Sequence, residues 1–210
     1  KVSVEPDGLV RITGGKYTTY RVMAAQAVDA VLGDGARGRP SATADLPIAG
    51  SPPGASASID DARAATEALA AKLAADGLDT DTAGHLVGRH GTEAEAVVAL
   101  GRADGLLRPV AAGFPHLEAE IAWAVDRELA LSLDDVLSRR LRLAMELRDR
   151  GAAIAARAAE IAGARLGWDG ARREVEVARY LEIARREYDV PPPGGGEAGG
   201  ASRPVPAEPA

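Results

Sequence analysis

The hydrophobic period of this chain changes once near its start, at Gly14-Gly15, and that change limits what the chain can become. Before the glycine pair the apolar residues alternate, Val2 and Val4 and then Val10 and Ile12, on either side of Pro6-Asp7-Gly8. Alternation is the strand period, and Pro-Asp-Gly supplies a preset φ followed by a residue that accepts positive φ. Residues 1–13 therefore predict a β-hairpin. After the pair the period is helical, and Val22, Ala25, Val28 and Val31 predict a helix over 17–32. Two strands alone are marginal in water. They are expected to form the edge of a larger sheet, and a chain opening on Lys1 with Val2 and Val4 already alternating is expected to be a fragment.

Residues 33–59 carry Pro40, Pro47, Pro52 and Pro53 among Gly, Ala and Ser, and read as a linker. Within it, Leu46-Pro47-Ile48 is suited to dock on a neighbouring surface. Helical spacing resumes over 60–188, predicting helices at 60–76, 79–90, 92–102, 117–130, 133–149, 151–166 and 170–187. Thr92 with Glu95 is a capping-box signature, and Ser132 with Asp134 and Asp135 caps the 133–149 segment. Leu117, Ile121, Val125 and Leu129 stack at i+4, and Gly167 stands where a helix C-terminal glycine belongs. Residues 189–210 are rich in Pro, Gly and Ala and are expected to form a disordered tail. The expected fold is mainly α: an N-terminal β-hairpin and strand-loop-helix, an all-α domain and the tail. Composition agrees, since 46% of residues are hydrophobic but only 3% are aromatic, with alanine supplying much of the remainder.

Several functions lose support at once. A net charge of −6 argues against non-specific nucleic-acid binding. The absence of cysteine removes disulfides, thiolate metal sites and a Cys nucleophile, and fits a reducing compartment. No apolar run approaches the ~20 residues of a membrane span. Gly33-Asp34-Gly35-Ala36-Arg37-Gly38 matches G-x-G-x-x-G, as do Gly194, Gly196 and Gly199, but neither leaves a strand and opens a helix. His85 and His90 are five apart, which does not align metal ligands on one helix face. With His116 they read as surface or capping imidazoles, and the many carboxylates read as solvated helix faces. Arg139, Arg140 and Arg142 read as an ion-pair cluster with Asp135, or, more sharply, as a site for an anionic headgroup or a partner surface.

Residues 13–21 remain. Thr13, Lys16, Thr18, Thr19 and Arg21 exceed the polar density a turn needs, and Lys16 is one of three lysines in a chain that otherwise writes Arg. A strand leading through two glycines to a helix start exposes backbone N–H groups, an arrangement suited to an anion or an electron-rich ring edge.

Gly8-Leu9-Val10 followed by Thr13-Gly14-Gly15-Lys16-Tyr17-Thr18-Thr19-Tyr20-Arg21 resembles the closing segment of FAD-dependent glycerol-3-phosphate dehydrogenases. Gly91-Thr92-Glu93-Ala94, Leu117-Glu118-Ala119-Glu120-Ile121 and Asp135-Val136-Leu137-Ser138-Arg139-Arg140-Leu141-Arg142 resemble pieces of that family's C-terminal helical domain. The resemblance implies an enzyme that oxidises sn-glycerol 3-phosphate to dihydroxyacetone phosphate, passing a hydride to FAD and electrons to membrane quinone. It implies that Gly14 and Gly15 bring backbone close to the isoalloxazine, with Thr18 near its pyrimidine edge and Thr19 in the same cofactor-binding set. Lys16 would be catalytic, beside substrate and flavin, while Arg21 would be structural. Residues 1–32 would close a FAD-binding domain whose N-terminal Rossmann half is absent, and 60–188 would be a helical cap. The chain alone is then expected to be inactive. A cytoplasmic location, with peripheral contact at the inner face of the cytoplasmic membrane, is implied in the same way, and a homodimer is left open. The alternative is a stand-alone, non-catalytic helical interaction module derived from that family.

Overall fold

Chain contacts divide the protein into two units, Lys1–Ser51 and Pro52–Ala210. The structure, a computed structural model, describes residues 1–52 and 58–189. The described residues are mainly helical, with one two-stranded antiparallel sheet. The tail expected beyond 189 lies outside them.

In the first unit, β1 (Val2–Val4) pairs with β2 (Val10–Ile12) in the register Val2↔Ile12, Ser3↔Arg11 and Val4↔Val10. The turn works as Pro-Asp-Gly dictates. Gly8 takes φ 86°, and the Asp7 carboxylate accepts the Leu9 N–H at 3.1 Å. A 3₁₀ turn over Tyr17–Thr19 then opens α1 (Tyr20–Leu32), which packs on both strands. Gly33–Ala36 is a further 3₁₀ turn, so the first G-x-G-x-x-G match sits past a helix end, away from any strand-to-helix junction. No described residue of this unit is buried.

The second unit holds α2 (Ile59–Ala75), α3 (Thr80–His90), α4 (Ala94–Asp104), α5 (Glu118–Asp126), α6 (Leu143–Glu146), α7 (Ala155–Leu166) and α8 (Gly170–Tyr188). Three of these start on side-chain caps. Ser58 accepts from Asp61 N–H, Asp79 from Asp81 and Thr82, and Asp169 from Arg172. Each such cap contributes about 1 kcal/mol. Helix α2 lies on α3, α4 on α5, α5 on α7, and α7 on α8, around a core that includes Leu86, Val97, Ile121, Leu137, Leu143 and Tyr180. The approach of α4 to its neighbours needs Gly101, because a Cβ there would sit 2.5 Å from Leu107 Cδ2 and 3.0 Å from Ala119 Cβ. Arg157 on α7 donates to both oxygens of Glu118 on α5, at 3.0 Å and 2.9 Å.

Four expectations fail here for physical reasons. The segment expected as one helix over 133–149 is a π-helical turn (Asp135–Arg140), a break at Arg142 with φ 62°, and the short α6. Leu141 and Leu143 are both buried. Two positions apart on a continuous helix they would face opposite ways, and the break re-phases the chain so that both reach the core. The 117–130 helix stops at Asp126, and Leu129, at φ 56°, is 79% exposed rather than stacked under Val125. Thr92 forms no cap: a 3₁₀ turn over Gly91–Glu93 leads into α4, and Glu95 pairs with Lys72 on α2 instead. The 151–166 helix starts only at Ala155, after a turn whose Gly151 takes φ 78°. The Ser132 cap does form, reciprocally: its Oγ accepts the Asp135 N–H at 3.1 Å while the Asp135 carboxylate accepts the Ser132 N–H at 3.0 Å.

Candidate functional site

The loop between β2 and α1 gathers Gly14, Gly15, Lys16, Thr18 and Thr19 at one helix start. Gly14 takes φ 111°, which only glycine adopts without strain, and a Cβ at Gly14 or Gly15 would meet nothing within 4 Å. The backbone therefore lies open at this point. Lys16 is extended at φ −66° and ψ 114°, and its carbonyl accepts from both the N–H and the hydroxyl of Thr19, at 3.0 Å and 3.1 Å. Those two bonds lock the entry into the 3₁₀ turn. The N–H groups of Gly14 to Thr18 find no acceptor among the described residues. Such groups at the start of a 13-residue helix present partial positive charge outward.

A concavity of about 280 Å³ adjoins this loop, lined by Ile12, Gly15, Lys16, Tyr17, Tyr20 and Met23 among others. Tyr17 is 85% exposed, with its ring centroid 6.0 Å from that of Tyr20. Donors on the backbone, one ammonium and flat apolar walls suit an anion or the electron-rich edge of a ring system. They form one wall only. Thr18 and Arg21 are exposed, and neither side chain has a hydrogen-bond partner among the described residues.

The histidines depart from expectation. They are neither surface nor capping groups, because they converge in the helical unit around Glu120, whose side chain is 0% exposed. His85 Nε2 lies 2.9 Å and 3.2 Å from the two Glu120 oxygens, His90 Nε2 3.2 Å from Oε1, and Arg89 Nε 3.5 Å from Oε1. The Leu117 N–H adds a third donor at 2.8 Å, while Arg89 Nε contributes charge without a hydrogen bond. Burial alone would raise the Glu120 pKa, but the bonds from His85, His90 and the Leu117 N–H hold it down to about 2. His116 is buried with its ring 4.1 Å from that of His85, and its Nδ1 has no partner. Burial first, and the neighbouring His85 and Arg89 charges, push its pKa below the ordinary 6.5 against the pull of Glu120 and Glu146. Sequence spacing concealed this cluster because it joins residues 30 and 35 apart on different helices. Glu118, Asp134 and Glu176 are buried too, so these carboxylates are not solvated faces. The arginine knot is partly an ion-pair cluster: Arg139 holds Asp134 and Asp135, Arg140 donates to the Glu128 carbonyl at 2.9 Å, and Arg142 has no ion pair among the described residues.

Among the described residues, no group of three or more His, Asp or Glu is arranged to hold a metal ion, and no helix is long and apolar enough to cross a membrane.

Residues 41–173 match the family model described as the C-terminal domain of alpha-glycerophosphate oxidase. The chain is 39% identical over 191 residues to glycerol-3-phosphate dehydrogenase 2 of Mycobacterium tuberculosis, across 90% of this chain and 31% of that relative. It is 34% identical over 186 residues to a mitochondrial glycerol-3-phosphate dehydrogenase of Arabidopsis thaliana, across 85% and 29%. With the mitochondrial glycerol-3-phosphate dehydrogenase of Bos taurus it shares 31% identity over 192 residues, across 88% and 24%. The chain thus spans less than a third of the length of these relatives.

Proposed function

This chain belongs to the family of the C-terminal domain of alpha-glycerophosphate oxidase, and from that membership we propose that it forms the C-terminal part of a FAD-dependent glycerol-3-phosphate dehydrogenase. The observation that carries the reading is the first unit. It buries none of its described residues, yet it presents Lys16 and a row of unpaired N–H groups beside an apolar wall. A loop of that composition has use only when something covers it, and in this reading the cover is a FAD-binding half.

When bound, FAD supplies the acceptor for the hydride that leaves C2 of sn-glycerol 3-phosphate as dihydroxyacetone phosphate forms, and the electrons pass on to quinone. The protein's residues do the rest. Gly14 and Gly15 let the backbone approach the ring closely, and the N–H groups up to Thr18 stabilise negative charge at its edge. Lys16 would be the catalytic residue of this chain, its ammonium available to hold a substrate oxygen and to offset negative charge on the cofactor when bound. The Thr19 bonds to the Lys16 carbonyl fix the loop from which that side chain extends. The α1 N-terminus adds its dipole at the same edge. The helical unit is a cap, and the complete enzyme works in the cytoplasm at the inner face of the membrane that carries the quinone, as a peripheral protein.

The test replaces Lys16 in the enzyme that contains both halves. Lys16→Ala should lower turnover about 10²-fold or more while leaving the melting temperature within a degree or two. Unchanged steady-state kinetics would remove Lys16 from the site. Separately, the 210-residue chain alone should bind no FAD, and co-folding it with the FAD-binding half should restore a flavin absorption spectrum. A tight flavin complex with this chain alone would overturn the reading.

A further inference from the structure

The turn that leads into α7, together with the C-terminal end of α8, encloses a pocket of about 190 Å³ in the helical unit. Arg148 and Arg150 line it from the turn, and Arg185 lines it from α8. None of the three guanidinium groups makes a hydrogen bond among the described residues. Arg150 alone has an ion pair, with Asp189 at 3.6 Å, and that carboxylate is 58% exposed. That pair is made by the Arg150 Nε itself, which is buried and lies just beyond hydrogen-bond reach of the Asp189 carboxylate, so its N–H makes no hydrogen bond. A buried donor without a partner is rare in a native fold and asks what satisfies it. Some arginines of the unit are engaged, Arg157 with Glu118 and Glu160 and Arg172 with Glu176, while Arg142 on the surface is not; what sets Arg148, Arg150 and Arg185 apart is that they converge on one pocket.

The acidic residues of the pocket do not close it. Asp149 is committed to the backbone, its two oxygens accepting the Gly151 N–H at 3.0 Å and the Ala153 N–H at 2.8 Å. Asp189 is at the rim. Three cations therefore face two carboxylates, one of them already occupied. The cradle is also held in an unusual shape. Arg150 sits at φ 60°, where L-residues are strained, and the Tyr180 hydroxyl donates to its carbonyl, fixing the turn from below.

We propose that this pocket is a binding site for a tetrahedral oxyanion of the phosphate class, held by the guanidinium groups of Arg148, Arg150 and Arg185. The planar fork of guanidinium donors matches phosphate oxygens, and acceptor oxygens would satisfy the orphaned Arg150 Nε–H. The volume admits a phosphate or a phosphomonoester head rather than an extended cofactor. The site lies in the helical unit and does not rest on the reading of the Gly14–Thr19 loop.

The experiment titrates the full 210-residue chain with inorganic phosphate at constant ionic strength, balanced with sodium chloride, while NMR follows the arginine Nε–H signals. Saturable movement of the Arg150 signal is expected. The double variant Arg148→Gln with Arg185→Gln should weaken binding about tenfold or more, since both partners are charge-assisted donors. Asp189→Asn should act in the opposite direction and tighten binding about threefold, because it removes the competing carboxylate. Circular dichroism of these exposed-site variants checks that the fold is kept. Phosphatidylcholine vesicles carrying phosphatidic acid form the second arm. Co-sedimentation lost in the double variant assigns the oxyanion to a lipid headgroup, and a phosphate response without co-sedimentation assigns it to a soluble phosphate. A response equal to that of chloride, or one unchanged in the double variant, marks an adventitious ion only and overturns the site.

Discussion

The helices in the two units of this protein differ in what they face. In Lys1–Ser51, α1 carries Val22, Val28 and Val31 at 50%, 55% and 70% exposure, beside a sheet of two strands. In the second unit, Leu86, Ile121 and Leu143 are at most 1% exposed, and Tyr180 lies fully inside. A 13-residue helix and a two-stranded sheet are each marginal in water. Periodicity is enough to specify a helix, while burial decides whether it stands alone. The first unit leaves its apolar face exposed, and the second is a body with its own core.

The sharpest way to break this contrast is to separate the units. A piece spanning residues 58–189 should unfold in one cooperative thermal transition followed by circular dichroism. A piece spanning 1–51 should show none. A cooperative transition in the smaller piece would erase the distinction. Within the helical unit the next largest effect belongs to Glu120. Glu120→Ala should cost about 3–5 kcal/mol in urea denaturation, because it leaves Arg89, His85 and His90 around an uncompensated void.

Acid should probe the same cluster more gently. The Glu120 pKa of about 2 lies below its ordinary 4.5, so its contribution is present above about pH 4.5 and is lost as pH falls toward 2. That loss is of order 2–3 kcal/mol. His116, a base whose folded pKa is depressed, contributes fully above pH 6.5 and loses its contribution as pH falls from 6.5 toward the folded value. Urea midpoints taken from pH 8 to pH 3 should fall in two stages, and the upper stage should vanish in His116→Gln. The smallest effect is expected in the first unit, where Val28→Ala should change stability by no more than about 0.5 kcal/mol in this chain. In a protein that also contains a FAD-binding half, the same change should cost about 1 kcal/mol or more, as burial of Val28 would require.

The same contrast explains what could be read from the sequence. Apolar spacing placed α2, α3 and α8 within a residue or two of their observed bounds, and each of them starts on a local cap, at Ser58, Asp79 and Asp169. The hairpin was legible because Pro6-Asp7-Gly8 acts within its own few residues. The loop at Gly14 to Thr19 was legible as an open strand-to-helix junction, whereas any ligand it serves depends on surfaces outside the first unit. The break at Arg142 was not legible. It carries neither glycine nor proline, and arises only because Leu141 and Leu143 compete for one core. The Glu120 cluster was hidden for a related reason, since His85, His90 and Leu117 meet it through tertiary packing. Glu120 itself has a local trace: its reach back to the Leu117 N–H is half of a capping box.

Helix α8 has a consequence for the order in which this protein is made. Glu176 accepts the N–H of Leu133, 43 residues earlier, and Tyr180 caps the carbonyl of Arg150, 30 residues earlier. Both earlier groups leave the ribosome well before their partners exist. During synthesis the nascent helical unit therefore waits, with polar backbone destined for its interior still wet, until α8 emerges. A message cut short before Glu176 would release a helical unit that cannot close, and quality-control proteases would meet it as an unfolded protein.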